Sequence, residues 1–245
     1  MTSAMLAAVG EVGEGFIQER TSDTLPCQAT DKLFCFDWAR ENIGRYEEPT
    51  IQHLELVVIS VLLGFAVAFA LALLAHRRTW LRPPLLAGTG ILYTIPSVAF
   101  FFLLEPFTGR SSETAIIALS VYTLQIIYRN TMVGLANVPA SVKDAARGIG
   151  QTDRQILWKV ELPLATPEII AGLRIATVST VALATLATFV NGGGLGEQIF
   201  RGGNIDFTTS IIIAGGIAIL IALVFDVLLL GLQRLVTPWR RAVAA

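Results

Sequence analysis

The chain has 245 residues, 53% of them hydrophobic and 15% charged, with a net charge of −1 and a mean hydropathy of +0.64. Soluble globular proteins carry roughly 25% charged residues, so this sequence offers too little polar surface for a water-soluble domain of its size. The near-neutral balance also argues against a nucleic-acid binder, which shows a basic stripe, and the length suits one membrane domain with short loops.

In chain order, Met1 to Gly10 lack the basic start of a secretory signal, and Glu11 and Glu14 follow at once. Targeting is therefore expected from the first spanning helix. Thr30 to Tyr46 reads as an amphipathic helix, with Leu33, Phe34, Phe36, Trp38 and Ile43 as its apolar positions. Its Trp and Tyr suit the outer membrane–water boundary, where it is expected to lie. Cys27 and Cys35 are the only cysteines. An oxidising exterior permits a bridge between them; the alternative is two separate thiols, because Cα spacing is not legible in sequence.

A helix needs about 20 apolar residues to cross a hydrocarbon core ~30 Å thick. Leu56 to Ala75 is uncharged and ends at His76-Arg77-Arg78; Pro83 to Leu104 follows, with Pro96 inside it. Thr114 to Tyr128 is shorter but is extendable past Arg129, Leu162 to Val190 carries Glu168 and Arg174, and Phe207 to Leu232 is interrupted at Asp226. This predicts an all-α polytopic membrane protein with five transmembrane helices. Arg77, Arg78, Arg82, Arg129, Lys143, Arg147, Arg154, Lys159, Arg234, Arg240 and Arg241 fall on one side, and only Arg110 and Arg201 in the opposite short loops. The basic side is cytoplasmic, so the N-terminus is expected outside and the C-terminus inside, although Arg20, Lys32, Arg40 and Arg45 weaken the bias at the start. The expected organisation is an extracytoplasmic segment over residues 1–50, a transmembrane domain over 51–237 with a cytoplasmic loop at 138–163, and a tail over 238–245.

The loop Asp144 to Pro163 is the longest polar stretch between spans. Ser141 with Asp144 three residues on reads as a capping-box variant, opening a short helix over Val142 to Ile149 that Gly150 stops. Thr152 can cap a second helix running towards Pro163. Two short helices joined at a glycine make a compact knob, and Ala145, Ala146 and Gly148 let a partner approach closely. An ordinary connecting loop fits these residues about as well.

The same residues resemble the "EAA" loop of ABC importer permeases: Glu-Ala-Ala, three residues, Gly, nine residues, Ile, one residue, Leu-Pro. Here stand Asp144-Ala145-Ala146, Gly150, Val160 and Leu162-Pro163, at every spacing, with Asp for Glu and Val for Ile. Tyr93-Thr94-Ile95-Pro96-Ser97 and Gly192-Gly193-Gly194-Leu195-Gly196, continuing to Ile199-Phe200-Arg201-Gly202, are similar to the osmoprotectant branch of that class. The resemblance covers most of residues 54–235 and implies the type I ABC importer permease fold. It also implies an ATPase-coupling role for Asp144, Ala145, Ala146, Gly150, Leu162 and Pro163. The partners it implies are ABC ATPase subunits, a second permease subunit (identical or not) and an extracytoplasmic substrate-binding protein, all at the cell membrane.

No G-x-x-x-x-G-K-[ST] occurs, so no nucleotide cradle is present. Neither HExxH nor a Cys/His cluster indicates a catalytic metal, and His53 and His76 flank the first span. The chain is thus expected to be neither an enzyme nor a cofactor carrier. Candidates for the translocation path are Tyr93, Thr94, Pro96, Ser97, Phe189 and Asn191: Pro96 leaves a helical carbonyl without its donor, and irregular backbone at membrane depth lines cavities or lies buried. Aromatic faces bind quaternary ammonium ions, which brings in Phe100, Phe101 and Tyr128, although all of these aromatics also suit plain packing. Glu105 reads as a solvated helix end, Asp226 as the partner of a basic residue, and Arg174 as paired with Asp226 or Glu168. Gly64, Gly88, Gly90, Gly215 and Gly216 are read as sites of close helix contact. The reading is the permease of an ATP-driven importer for a compatible solute such as glycine betaine, choline or carnitine. Its rivals are a permease for methionine or another small solute, a secondary transporter or channel, and a membrane-anchored assembly protein.

Overall fold

The structure is a computed structural model and describes residues 33–238. Among these residues there is no β-strand. Helix α1 (Phe36–Asn42) and a 3₁₀ turn (Ile43–Tyr46) lead into α2 (Glu47–Arg77). Two shorter helices, α3 (Arg82–Thr94) and α4 (Ser97–Thr108), precede the long α5 (Ser112–Ala136). The loop holds α6 (Ala140–Gly148) and α7 (Asp153–Ile156), and a π-helical turn (Leu157–Glu161) runs straight into α8 (Leu162–Ala184). A 3₁₀ turn (Thr185–Val190), α9 (Leu195–Asn204) and α10 (Thr208–Val236) complete the described chain.

Three stretches are long and apolar enough to cross a membrane: Phe36–Arg77, Asp153–Val190 and Thr208–Val236. The second expected span is not one kinked helix. It breaks at Ile95–Pro96 into α3 and α4, which meet at 98°. Proline cannot donate a backbone hydrogen bond and pushes the preceding residue out of helical space; Ile95 accordingly sits at φ −66°, ψ 128°. If that pair counts as one span the total is four. Helix α5 has 25 residues and continues unbroken through Arg129, but Thr123, Gln125, Arg129 and Asn130 make it less apolar than the others.

Helix α5 is the centre of the fold, with α2, α3, α4 and α8 packed around it. On α2 the buried residues Val57, Ser60, Val61, Gly64, Ala68, Ala72 and Ala75 recur every three or four positions, which is one helical face. Small side chains there let backbones approach. A Cβ on Gly64 would fall 1.7 Å from Thr123 Oγ1 and 2.8 Å from the Ser120 carbonyl oxygen, and one on Gly172 of α8 would fall 2.5 Å from Asn130 Cβ. Gly134 on α5 meets Ala165 in the same way, at 3.0 Å from its carbonyl oxygen. Of the other expected contact glycines, Gly90 only grazes Gln125, while Gly88, Gly215 and Gly216 have open space where a side chain would go. They face away from the helices of this chain and do not serve its internal packing.

The N-terminal helix begins at Phe36, residues 30–32 lie outside the described part, and Trp38 and Tyr46 are turned into the protein. Trp38 lies edge-on to Phe207 at 4.6 Å, the Tyr46 hydroxyl donates to Ser210 Oγ at 3.0 Å, and the Cys35 N–H donates to Thr209 Oγ1 at 3.0 Å. The first residues of α10 thus gain polar and aromatic partners, while Leu33, Phe36 and Ile43 face outward. The expected partner of Cys35, Cys27, lies outside the described residues.

Three of the charges within or at the ends of spans form ion pairs. Arg174 on α8 donates from Nε and Nη2 to the two carboxylate oxygens of Asp226 on α10, at 3.0 and 2.8 Å. Glu105 is bonded to Arg110 at 3.1 Å, so it is more than a solvated end.

Two outcomes are expected. Gly64→Ala overpacks the α2–α5 contact, at a typical cost of about 1–3 kcal/mol, so the detergent-solubilised protein should melt several degrees lower, while Gly88→Ala should leave the midpoint unchanged or raise it. Arg174→Ala and Asp226→Ala should each lower the midpoint, and the double variant should lose less than the sum of the two, because residues in one ion pair are not independent.

Candidate functional site: the polar knob and the glycine-rich turn

Helix α6 begins after Pro139, whose φ of −58° and ψ of 138° start the turn, and no side chain caps it. Ser141 is therefore inside the helix and not its cap. Asp144 bonds forward to Arg147 at 3.1 Å rather than back to a free N–H. The end is as read from sequence. Gly150 has φ +82°, a conformation that favours glycine. Its N–H bonds the Arg147 carbonyl at 2.9 Å, and the Gln151 N–H bonds the Ala146 carbonyl at 3.1 Å. That pair of bonds is a Schellman motif, which satisfies carbonyls the helix end leaves open.

Thr152 closes a full capping box: its Oγ1 accepts from the Gln155 N–H at 3.4 Å, and Gln155 Oε1 accepts from the Thr152 N–H at 2.9 Å. The helix it starts does not stop at Pro163. Pro163 brings no N–H, and just before it the ladder shifts register, with the Leu162 N–H bonding the Leu157 carbonyl. The result is a π turn, a form that often marks functional positions. The second half of the knob is thus the first turn of spanning helix α8. Leu157, Leu162, Ala165 and Ile169 anchor it in one apolar cluster with Leu135.

The knob presents Asp144, Ala145, Gly148, Ile149 and Gly150 outward, Ile149 at 78% exposure, and buries Ala146. Ala145 and Ala146 therefore have different surroundings, and adjacent residues on a helix point about 100° apart. Behind the knob lies a cavity of about 570 Å³ lined by His76, Arg77, Arg147, Asp153, Arg154 and Glu161.

Glu161 was not singled out from the sequence. It is 6% exposed and pairs with His76 Nε2 at 2.9 Å and Lys143 Nζ at 3.6 Å. A signal was available: four residues after the buried Leu157, it falls on the apolar face of its helix.

The path candidates fall into two groups. Tyr93, Thr94, Pro96 and Ser97 sit at the α3–α4 break. There the Thr94 hydroxyl donates to the Ile91 carbonyl at 2.7 Å, and the Tyr122 hydroxyl donates to the Ile95 carbonyl. Tyr93 is 45% exposed, stands edge-on to Tyr122 at 6.0 Å, and lines a cleft of about 430 Å³ with Gln125, Arg129 and Asn130. Phe189 and Asn191 belong to the turn between α8 and α9. Phe189 packs on Phe200 at 5.6 Å, and Asn191 lines a separate cavity of about 370 Å³ with Gln52, Glu55, Ser112 and Gly193. The turn is ordered by α2: Gln52 Oε1 accepts the Gly194 N–H at 3.1 Å, and the buried His53 meets the Val181 carbonyl at 3.2 Å. Asn191, Gly193 and Gly194 all have positive φ. Phe100, Phe101 and Tyr128 are buried.

Comparison with known proteins follows this geometry. Residues 59–242 match the family described as binding-protein-dependent transport system inner membrane component. The chain is 35% identical over 198 residues to the choline transport system permease protein OpuBB of Bacillus subtilis, covering 80% of this chain and 91% of that one. It is 36% identical over 200 residues to the carnitine transport permease protein OpuCB of Listeria monocytogenes, with 81% and 91% covered. Against the osmoprotectant import permease protein OsmW of Salmonella typhimurium the identity is 37% over 204 residues, with 81% and 94% covered. Among solved structures, the inward-facing MetNI methionine ABC transporter superposes with a TM-score of 0.71 at 22% identity, covering 78% of this chain and 96% of that chain. An amino acid ABC transporter superposes with a TM-score of 0.70 at 18% identity, covering 82% and 98%; at these identities the likeness is one of fold. The all-helical bundle, its apolar spans and these matches together make the chain a multi-pass membrane transport component without enzymatic activity, and it belongs to the family of binding-protein-dependent transport system inner membrane components.

Proposed function

We propose that the chain is the permease subunit of an ATP-driven importer for a compatible solute of the glycine betaine, choline and carnitine type. The observation that carries this reading is identity of 35–37% over four-fifths of the chain to permeases named for choline, carnitine and osmoprotectants. The methionine alternative rests on structural likeness at 22% identity and is the weaker of the two. A secondary transporter has no use for a docking helix on its cytoplasmic side.

In this reading the bundle has five spans with the N-terminus outside, the α3–α4 pair serving as the second and α5 as the third. Residues 1–50 form the outer segment, 51–237 the permease domain, and 238–245 a cytoplasmic tail. Polar residues on α5 are tolerated because they turn towards neighbouring helices or a water-filled path. One ATPase subunit docks on the knob formed by Asp144, Ala145, Ala146 and Gly150, whose root is Leu162–Pro163, and a second docks on the partner permease. A second permease completes the pore, and a binding protein delivers solute from outside. Tyr93, Thr94, Pro96 and Ser97 line the path at the α3–α4 break. Phe189 and Asn191 form part of an outer gate.

The exposure of Ile149 beside a glycine stop supports the docking role: an apolar tip on a rigid, capped turn suits a partner's groove. When ATP draws the ATPase subunits together, the knobs move with them, and access to the path alternates between the two sides.

Two measurements test this. Gly150→Phe places a β-carbon at positive φ, so the knob should deform, and ATPase activity stimulated by solute-loaded binding protein should fall at least tenfold in the assembled complex; unchanged stimulation and uptake would refute the docking role. Cells lacking other osmoprotectant importers and expressing the complete system should take up labelled choline, glycine betaine or carnitine, with unlabelled congeners competing. Uptake of methionine in preference to all three would refute the solute assignment.

A further inference from the structure

Among the described residues, Glu161 is the one Asp, Glu, Lys or Arg whose residue is buried. A carboxylate withdrawn from water is costly unless cations and hydrogen bonds compensate it. Its two oxygens are used separately. Oε2 accepts from His76 Nε2 at 2.9 Å, and Oε1 faces Lys143 Nζ at 3.6 Å. His76 lies in the last turn of α2, Lys143 in α6, and Glu161 itself closes the π turn at the root of α8. Three elements distant in sequence therefore meet on one side chain.

The remaining ties of α6 are slight. Ala146 is its one buried residue, and Arg147 bonds to Asp144 and Asp153 within the loop itself. Helix α2 carries the long small-residue seam against α5, and α8 carries the facing seam. A displacement of α6 reaches α5 through the backbone at Asn137–Pro139 and α8 through Gly150–Thr152, but α2 has no such backbone link to it. The Lys143–Glu161–His76 link delivers it to α2 directly and clamps α2 to the root of α8, at a π turn where the helix ladder has already changed register.

We propose that Glu161 is a positioning residue that transmits movement of the docking helix α6 to α2 and α8 together, by holding Lys143 and His76 with its two carboxylate oxygens. The inference rests on α6 being the ATPase-docking helix. Loss of the carboxylate charge leaves the knob folded but slack. ATP is then hydrolysed with less movement of the path per cycle.

The test uses the complete transporter in proteoliposomes, with its own ATPase subunits and binding protein and with glycine betaine, choline and carnitine as probes. Glu161→Gln keeps the shape and removes the charge. Its expected signature is co-purification of the ATPase subunits at the wild-type ratio, retained ATP hydrolysis, and solute moved per ATP lowered about tenfold, the scale of losing one charge-assisted hydrogen bond. Lys143→Gln should show the same uncoupling, the Lys143→Gln/Glu161→Gln pair should be no worse than either alone, and Lys143→Arg should restore the ratio. A wild-type solute-to-ATP ratio in Glu161→Gln would overturn the proposal. So would a proportional loss of ATPase assembly and uptake together, since that is the signature of misfolding. Normal stimulation in Gly150→Phe would instead overturn the docking reading, whereas a defective Gly150→Phe beside a fully coupled Glu161→Gln would overturn only the transmission role.

Discussion

The contact between α2, α5 and α8 carries the rest of this structure. In a bilayer there is little hydrophobic gain from bringing apolar helices together, so association depends on close van der Waals contact and on hydrogen bonds between helices. Gly64, Gly134 and Gly172 provide the closeness: each sits where a β-carbon would collide with a neighbour. The seam of small residues on α2 then lets α5 lie in the middle of the bundle, with Thr114, Thr123 and Thr131 buried. Everything functional hangs from that seam. The broken α3–α4 pair leans on α5, the knob grows out of α5 and α8, and the outer turn is held by Gln52 and His53 of α2.

Charge is handled with the same economy. Arg174 and Asp226 cross from α8 to α10 as a bidentate pair, and Glu161 is held between His76 and Lys143. The first pair is half-buried and the Glu161 cluster is buried; buried ion pairs are poor stabilisers compared with apolar packing, but breaking one partner is costly. Such pairs suit places where elements must move as a unit. The first ties the last long helix to the bundle, and the second ties the knob to two helices.

The end of the bundle away from the knob follows another rule. Trp38, Tyr46 and the Cys35 backbone fasten the segment before α2 onto the start of α10. The helix that precedes the family match at residue 59 is thus integrated with the matched domain, bracing the corner between α9 and α10. Its apolar remainder, Leu33, Phe36 and Ile43, points outward.

Composition and hydrophobic runs were sufficient to establish a helical membrane protein, and the spacing from Asp144 to Pro163 was sufficient to locate the knob. Gly150 and Thr152 behaved as their local chemistry requires, because caps and left-handed stops depend only on neighbours within one turn. Ser141, read as a cap, lies inside the helix, because Pro139 two residues earlier already starts it. The sequence could not show that Pro96 would turn the chain through 98° instead of kinking it, since that angle is set by what α3 and α4 each find to pack on. The inward face of Trp38 and the open surroundings of Gly215 and Gly216 were equally hidden, because burial in a membrane helix depends on which neighbour arrives. Glu161 is the clearest case: its sequence shows one acid in a helical run, and only the meeting of α2, α6 and α8 shows that its two oxygens have two different partners.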